Sequence, residues 1–253
     1  MSLAKSGLPA AKEVAALNAF RTPAQRRLIF EEFFLFQIGH AWRRRATSVE
    51  PKPFVPVVDD RVRASAAKVL PFKLTPGQRE AIKEIVDDMR RPEPMHRLLQ
   101  GDVGAGKTLV AAMALLIAVE AGAQGAMLAP TEILARQHFE TLQRLFSGLD
   151  VRIAILTGRD KGRAREATLM GLHDGSIDIL IGTHAIFQQG VEYRDLGLVV
   201  VDEQHRFGVA ERMMLQAKAK TAPHLLVMTA TPIPRTLQLA THGEMDVSKL
   251  DEM

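Results

Sequence analysis

From about Leu70 onward the chain alternates short, continuously apolar runs with segments of helical period, and this alternation restricts the fold more than any other feature. The runs MHRLLQ, QGAMLA, VRIAIL, IDILIG, GLVVVDE and HLLVMTA are mostly too apolar throughout to carry a wet face. Strands that read this way are buried on both sides, as in parallel sheets clad with helices. Between them, residues 78–89, 108–121, 132–146, 161–172 and 210–220 carry helix-period patterns; in the first, Ala81, Ile82, Ile85, Val86 and Met89 share a face. Regular alternation of strand and helix predicts an α/β domain with a largely parallel sheet and helices on both faces. Ligands of such domains gather at the carboxyl ends of the strands, so chemistry is expected where strands stop.

The part before Leu70 reads differently. Residues 1–47 look helical, with Leu28, Ile29, Phe33 and Phe36 at helical spacing and the triplet Arg43, Arg44, Arg45 near the end. The stretch SVEPKPFVPVVDD has three prolines and reads as extended. The expected organisation is a helical segment over 1–47, a linker over 48–69 and the α/β domain over 70–253. Charge follows the same division. Residues 1–72 hold 12 Lys and Arg against 6 Asp and Glu, leaving 21 against 23 for residues 73–253, so the basic excess lies in the N-terminal quarter. The absence of cysteine excludes thiolate-ligated metals and thiol catalysis, and agrees with a reducing compartment. With no long apolar run and no signal-peptide pattern, the expected location is cytoplasmic, away from membrane.

The most specific motif is LLQGDVGAGKT. Gly101, four residues, then Gly106, Lys107 and Thr108 stand directly after a predicted strand and before a predicted helix, the context a phosphate loop requires. Successive N–H groups of Gly101, Asp102, Val103, Gly104, Ala105 and Gly106 can curl around phosphates, and glycine permits the close approach and positive φ this needs. Lys107 then reaches the β- and γ-phosphates of ATP and the Thr108 hydroxyl ligates Mg²⁺.

GLVVVDEQHRFGV places Asp202 and Glu203 at the end of the most apolar strand. Adjacent carboxylates against a buried strand cost desolvation energy unless a cation or donors meet them. A Mg²⁺ on Thr108 is such a cation, with Asp202 as its carboxylate and Glu203 as the base that orients and deprotonates water. His205 follows, near enough to sense the γ-phosphate. Thr229, Ala230 and Thr231, in MTATPIPRT, end another apolar strand and offer hydroxyls beside the carboxylates. Pro232 and Pro234 equally suit the start of a helix, and both readings hold together.

KLTPGQ, GDVGAGKT, APTEILARQH, LTG, IGTHA, DEQHRFGV and TATPIPRT occur in the order and spacing of superfamily 2 DNA helicases. Together they resemble the first motor lobe of the RecG family over residues 70–253, and the helix around QRRLIFEEFFLFQIG resembles that family's connection between wedge domain and motor. The translocase of transcription-repair coupling factors is the neighbouring alternative, but it usually reads DEEH where Gln204 stands here. A catalytically silent nucleotide-binding module is the alternative from another class.

The resemblance implies a RecA-like lobe and an ATP-dependent helicase or translocase of branched, forked DNA, not sequence-specific, acting in repair and recombination. It implies that Gln78 reads adenine with Phe72 close to the base, while Thr75 capping a helix that starts at Pro76 is the local alternative. It further implies that Pro130, Thr131, Thr157, Gly158, Thr183 and His184 track DNA, and that Thr229, Ala230 and Thr231 couple the two activities. After Thr231, 22 residues remain, so a second motor lobe, its arginine finger and the wedge domain are expected outside the chain. Arg235 lies too near the TAT motif to replace that finger. The 253 residues are therefore expected to bind Mg-ATP, hydrolyse it poorly and not unwind DNA by themselves.

Overall fold

The computed structural model describes residues 11–47, 54–57, 59–70, 73–202, 221–230 and 245–250. Phe72, Glu203, Gln204, His205, Thr231, Arg235 and the helix expected over 210–220 lie outside the described residues, as do the side chains of Arg43 to Arg45. The chain forms two compact units, Met1–Ala46 and Thr47–Met253.

The first unit contains α1 (Ala11–Asn18) and most of α2 (Pro23–Thr47). Thr22 starts α2: its hydroxyl accepts from Gln25 N, and the Gln25 side-chain oxygen returns to Thr22 N, with Pro23 in the first helical position. α2 exposes Leu28, Phe30, Phe33, Leu35 and Trp42, with Phe30 and Phe34 stacked at 5.5 Å.

The second unit opens with α3 (Asp60–Val69), where the sequence suggested only linker. Asp59 caps it by accepting from Val62 N at 3.0 Å; Val62, Ser65 and Val69 are buried, and Ser65 donates to Glu120. There follow α4 (Pro76–Arg90), β1 (His96–Gly101), α5 (Lys107–Glu120), β2 (Gln124–Leu128), α6 (Glu132–Leu145), β3 (Ile153–Leu156), α7 (Gly162–Asp174), β4 (Ile179–Gly182), a 3-10 turn (His184–Phe187), β5 (Leu196–Asp202), β6 (His224–Thr229) and β7 (Asp246–Leu250). All six strands expected from the sequence form; β7 is additional. The seven make one sheet in the order β3-β4-β2-β5-β6-β1-β7, with every neighbouring pair parallel.

Burial on both sides explains the continuous apolar runs. Leu99, Met127, Ile179, Ile181, Leu198, Val200, Leu226 and Met228 face one core, with residues of α3, α4, α5 and α6. Their neighbours Leu98, Ala126, Leu128, Leu180, Val199, Val201, Leu225 and Val227 face the other, with Leu172 of α7 and the 3-10 turn. Each fully buried large aliphatic contributes roughly 1.5–3 kcal/mol of transfer free energy. α5 packs against α3, α4 and three strands, which is why it is apolar nearly all round rather than striped.

One buried arginine interrupts this pattern. Arg97, in β1, donates to Asp88 at 2.6 Å, Glu84 at 2.9 Å and Ser248 at 2.8 Å, and Ser248 also donates to Glu84. The cluster ties α4 to β1 and β7, so β7 is held by more than its main-chain ladder.

Candidate nucleotide and nucleic-acid site

Because every strand runs the same way, the described parts of the motifs at strand ends fall on one edge of the sheet, and the register shows how they adjoin. Gln100 pairs with Thr229, and Met228 with Asp202, so the start of the phosphate loop, the TAT motif and the acidic strand end sit side by side on β1, β6 and β5. On the other half, Leu128 pairs with Gly182 and Gly182 with Leu156. The loops bearing Pro130 and Thr131, Thr183 and His184, and Thr157 and Gly158 therefore leave β2, β4 and β3 at one level. The edge divides at the β2–β5 junction into these two halves.

The phosphate loop begins at Gly101, which is closely packed: a Cβ there would meet Leu250 Cβ at 2.9 Å and Ala105 Cβ at 3.3 Å. Asp102, Val103 and Gly104 are exposed. Gly104 and Gly106 take φ of +89° and +84°, left-handed on either side of Ala105, a geometry that turns successive N–H groups toward a common concavity. Gly106 starts α5 with no side-chain cap, so the positive end of a 14-residue helix is presented to this concavity. Lys107 Nζ lies over the loop, donating to the Gly101 and Asp102 carbonyls at 2.6 and 2.7 Å. Thr108 is half-buried in the first turn of α5.

Gln78 is joined to this loop. Its Oε1 accepts from Thr75 N at 3.1 Å while its own N–H donates to Thr75 Oγ1 at 3.2 Å, a complete capping box at the start of α4. Its Nε2 donates to Ala105 O at 3.0 Å. Both amide atoms are thus engaged, and the side chain braces the loop against α4.

At the acidic strand end, the half-buried Asp202 receives a bond that sequence reasoning missed: His138 Nε2 stands 2.7 Å from its Oδ2. His138 lies on α6 between the buried Ala135 and Leu142, so by spacing it reads as one more core-facing position. Its pattern gives no signal beyond a polar residue on an apolar face. A hydroxyl such as that of Thr108, in the first turn of α5, and a carboxylate such as Asp202, ending β5, are oxygen donors of the kind a small hard divalent cation takes. Among the described residues no group of three or more His, Asp or Glu could hold a metal. Mg²⁺ does not require one, since it takes one or two carboxylates plus substrate phosphates.

The other half is built mainly of hydroxyl and backbone groups. Thr131 is exposed and caps α6, accepting from Leu134 N at 3.3 Å. Thr157 is fully buried, and its N–H and hydroxyl both donate to Asp160, so Gly158 and Arg159 carry the surface of that turn. Arg159 pairs with Glu132 at 2.9 Å, linking the turn to α6. Thr183 is half-buried and its carbonyl accepts from Ile186 N; His184 is exposed. Behind it the buried Tyr193 hydroxyl donates to Ile186 O at 3.2 Å, and burial pushes its phenol far above the ordinary value. Thr229 is buried and Ala230 half-buried at the end of β6.

Comparison with known proteins fits this arrangement. The profile of the DEAD/DEAH box helicases matches residues 75–240. The ATP-dependent DNA helicase RecG of Aquifex aeolicus is 45% identical over 241 residues, 95% of this chain and 30% of its own. RecG of Bacillus subtilis is 49% identical over 230 residues, 91% of this chain and 34% of its own. A structure of RecG bound to a three-way DNA junction superposes with a TM-score of 0.78 at 40% identity, covering 90% of this chain and 30% of that one. A hypothetical ATP-dependent RNA helicase from Sulfolobus tokodaii shares the fold, at a TM-score of 0.54 and 17% identity over 76% of this chain and 57% of its own. The chain spans about a third of the length of the curated relatives it matches. The matched span runs from the Thr75 cap through the phosphate loop and Asp202 to beyond the TAT motif, and the chain belongs to the DEAD/DEAH box helicase family.

Proposed function

We propose that the chain is the first motor lobe of a RecG-type helicase, an ATP-driven motor that remodels branched DNA and stalled replication forks in repair and recombination. The observation that carries this reading is the division of the sheet edge, with the phosphate loop, Asp202 and Thr229 on β1, β5 and β6 and the hydroxyl-bearing loops of β2, β3 and β4 beside them. ATP lies with its phosphates in the loop from Gly101 to Gly106, and Lys107 exchanges its loop carbonyls for phosphate oxygens. Thr108 and Asp202 would hold Mg²⁺, which when bound would neutralise charge on the phosphates. Glu203 orients and deprotonates the attacking water, and His205 senses the γ-phosphate. Phe72 and Gln78 meet the base.

On the other half, backbone and hydroxyl donors at Pro130, Thr131, Gly158, Thr183 and His184 contact the DNA backbone, which positions a strand without reading its sequence. Thr157 supports its turn from beneath through Asp160. Thr229, Ala230 and Thr231 join the two halves. An arginine finger supplied from outside these 253 residues contributes about 10³–10⁵ in rate, so taken by themselves they bind Mg-ATP weakly, turn it over slowly and do not unwind.

ATPase rates with and without forked DNA test the reading, using the wild-type chain, Lys107→Ala, and wild type mixed with a second lobe supplied in trans. The expected result is slow turnover by the lobe, none by Lys107→Ala, and DNA-dependent acceleration only with the second lobe. A DNA-stimulated rate matching an intact helicase from these 253 residues, or Lys107→Ala binding nucleotide like wild type, overturns it.

A further inference from the structure

We propose that His138 is a positioning residue for the magnesium carboxylate, donating from Nε2 to one oxygen of Asp202 and so aiming the other at the cation. This rests on the reading of Asp202 given above. An ionised carboxylate only accepts, so the 2.7 Å contact makes Nε2 the protonated nitrogen of the imidazole. The His138 and Asp202 side chains are 10% and 15% exposed, which leaves little water to compete for the bond. The terminal torsion of an unpinned carboxylate is broad. With Oδ2 held by the imidazole the torsion is narrowed, and Oδ1 is the oxygen assigned to the metal.

The helix that carries the imidazole is itself held in place. Ala135 and Leu142, a turn to either side of His138 on α6, are both fully buried, so the helix cannot rotate to withdraw the ring without breaking the core. The bond also crosses the seam of the site: α6 follows β2, the first strand of the DNA-side half, and Asp202 ends β5, the adjoining strand of the nucleotide half. Outer partners of metal-binding carboxylates typically matter by 10–100-fold in metal affinity.

The test is equilibrium binding of a fluorescent ATP derivative to the 253-residue chain, in EDTA and over graded Mg²⁺, for wild type, His138→Gln, His138→Asn and Lys107→Ala. Glutamine places its amide nitrogen at about the reach of Nε2; asparagine falls one methylene short. The expected result is that His138→Asn loses about 10-fold of the magnesium-dependent gain in affinity with binding in EDTA unchanged, while His138→Gln retains most of it. The proposal is overturned if asparagine keeps the wild-type gain, if both variants lose it equally, or if the EDTA and magnesium affinities fall together. Should His138→Asn fail to fold, isotope-labelled histidine in the wild-type chain decides. The His138 ring, assigned by its loss in His138→Gln, must carry its proton on Nε2 and shift when Mg²⁺ is added to the nucleotide complex; a ring that fails either refutes the role. If Lys107→Ala binds nucleotide normally, the reading of the site fails. If Lys107→Ala abolishes binding and His138→Asn changes nothing, only the role of His138 fails.

Discussion

Replacing Arg97 with methionine isolates the charge at the centre of the α4–β1–β7 cluster while keeping most of the apolar stem. The guanidinium is withdrawn from water, at 6% side-chain exposure, and donates to Asp88, Glu84 and Ser248. Removing one member of a buried ion pair costs about 3–5 kcal/mol, because the partner stays buried and uncompensated. Two features move this site to the lower end. Glu84 is 38% exposed and reaches water, and Asp88 keeps Arg91 at 2.9 Å, whose guanidinium it holds protonated beyond the ordinary arginine range. The expected cost of Arg97→Met is therefore about 3 kcal/mol, or a fall in Tm of roughly 6–12 °C for a unit of this size. Urea unfolding followed by far-ultraviolet circular dichroism measures it, in a cycle with Asp88→Leu and the double variant. The double variant should be more stable than the two single costs sum to, by about 2 kcal/mol, since no buried carboxylate remains unpaired. A cost of Arg97→Met below about 1 kcal/mol, or additive single costs, refutes the reasoning.

Two further outcomes follow from the same geometry. Gly104 and Gly106 are both left-handed, but a Cβ at Gly104 meets open space while one at Gly106 strikes the Gln78 amide. Gly104→Ala should cost about 1–2 kcal/mol of backbone strain, and Gly106→Ala should lower Tm further and weaken nucleotide binding more; equal effects would disprove the brace from Gln78. Tyr193 is the one tyrosine of the chain, and its burial raises the phenol above its ordinary value of 10.0. The unfolded phenol ionises first, so the folded state's advantage is full below about pH 10 and is lost as pH rises above it. Tyrosinate absorbance should thus appear only together with loss of ellipticity, and a smooth titration near pH 10 in the folded chain would contradict this.

The strands were legible because burial on both faces leaves an unmistakable apolar run, and the motifs because phosphate loops tolerate few substitutions. β7 was not legible for the opposite reason. In DVSKL the buried Ser248 is satisfied by Arg97 and Glu84, partners about 150 residues distant in sequence, and an edge strand needs apolar packing less than a central one. α3 could have been found: Asp59 as a cap followed by Val62, Ala66 and Val69 at helical spacing was present, but the three prolines just upstream dominated the reading. Among the described site residues, the loops after β1, β2, β3 and β4 leave the carboxyl ends of their strands as spacing suggested, yet spacing said nothing about which atoms face outward. Thr157 turns inward to Asp160 and leaves the surface to its neighbours, and His138 was indistinguishable from a core position, because hydrogen-bond partners across a sheet leave no local trace.

Gln78 shows how two sequence-level alternatives become one physical statement. As a helix cap it spends its oxygen on Thr75 N; as a brace it spends its nitrogen on Ala105 O. Each atom has a second site, a lone pair on Oε1 and an N–H on Nε2, so a base edge can be met by the same amide while both bonds are kept, each contributing about 1 kcal/mol net. In the proposed reading adenine, which offers an acceptor and a donor on one edge, matches those two second sites. A wrong base meets an amide whose orientation Thr75 and Ala105 already fix, and leaves a donor or acceptor unmatched, a penalty larger than the bond itself. In the proposed reading, discrimination at Gln78 thus depends on the brace fixing the amide beforehand, which is how one residue would both pack the phosphate loop and select the base.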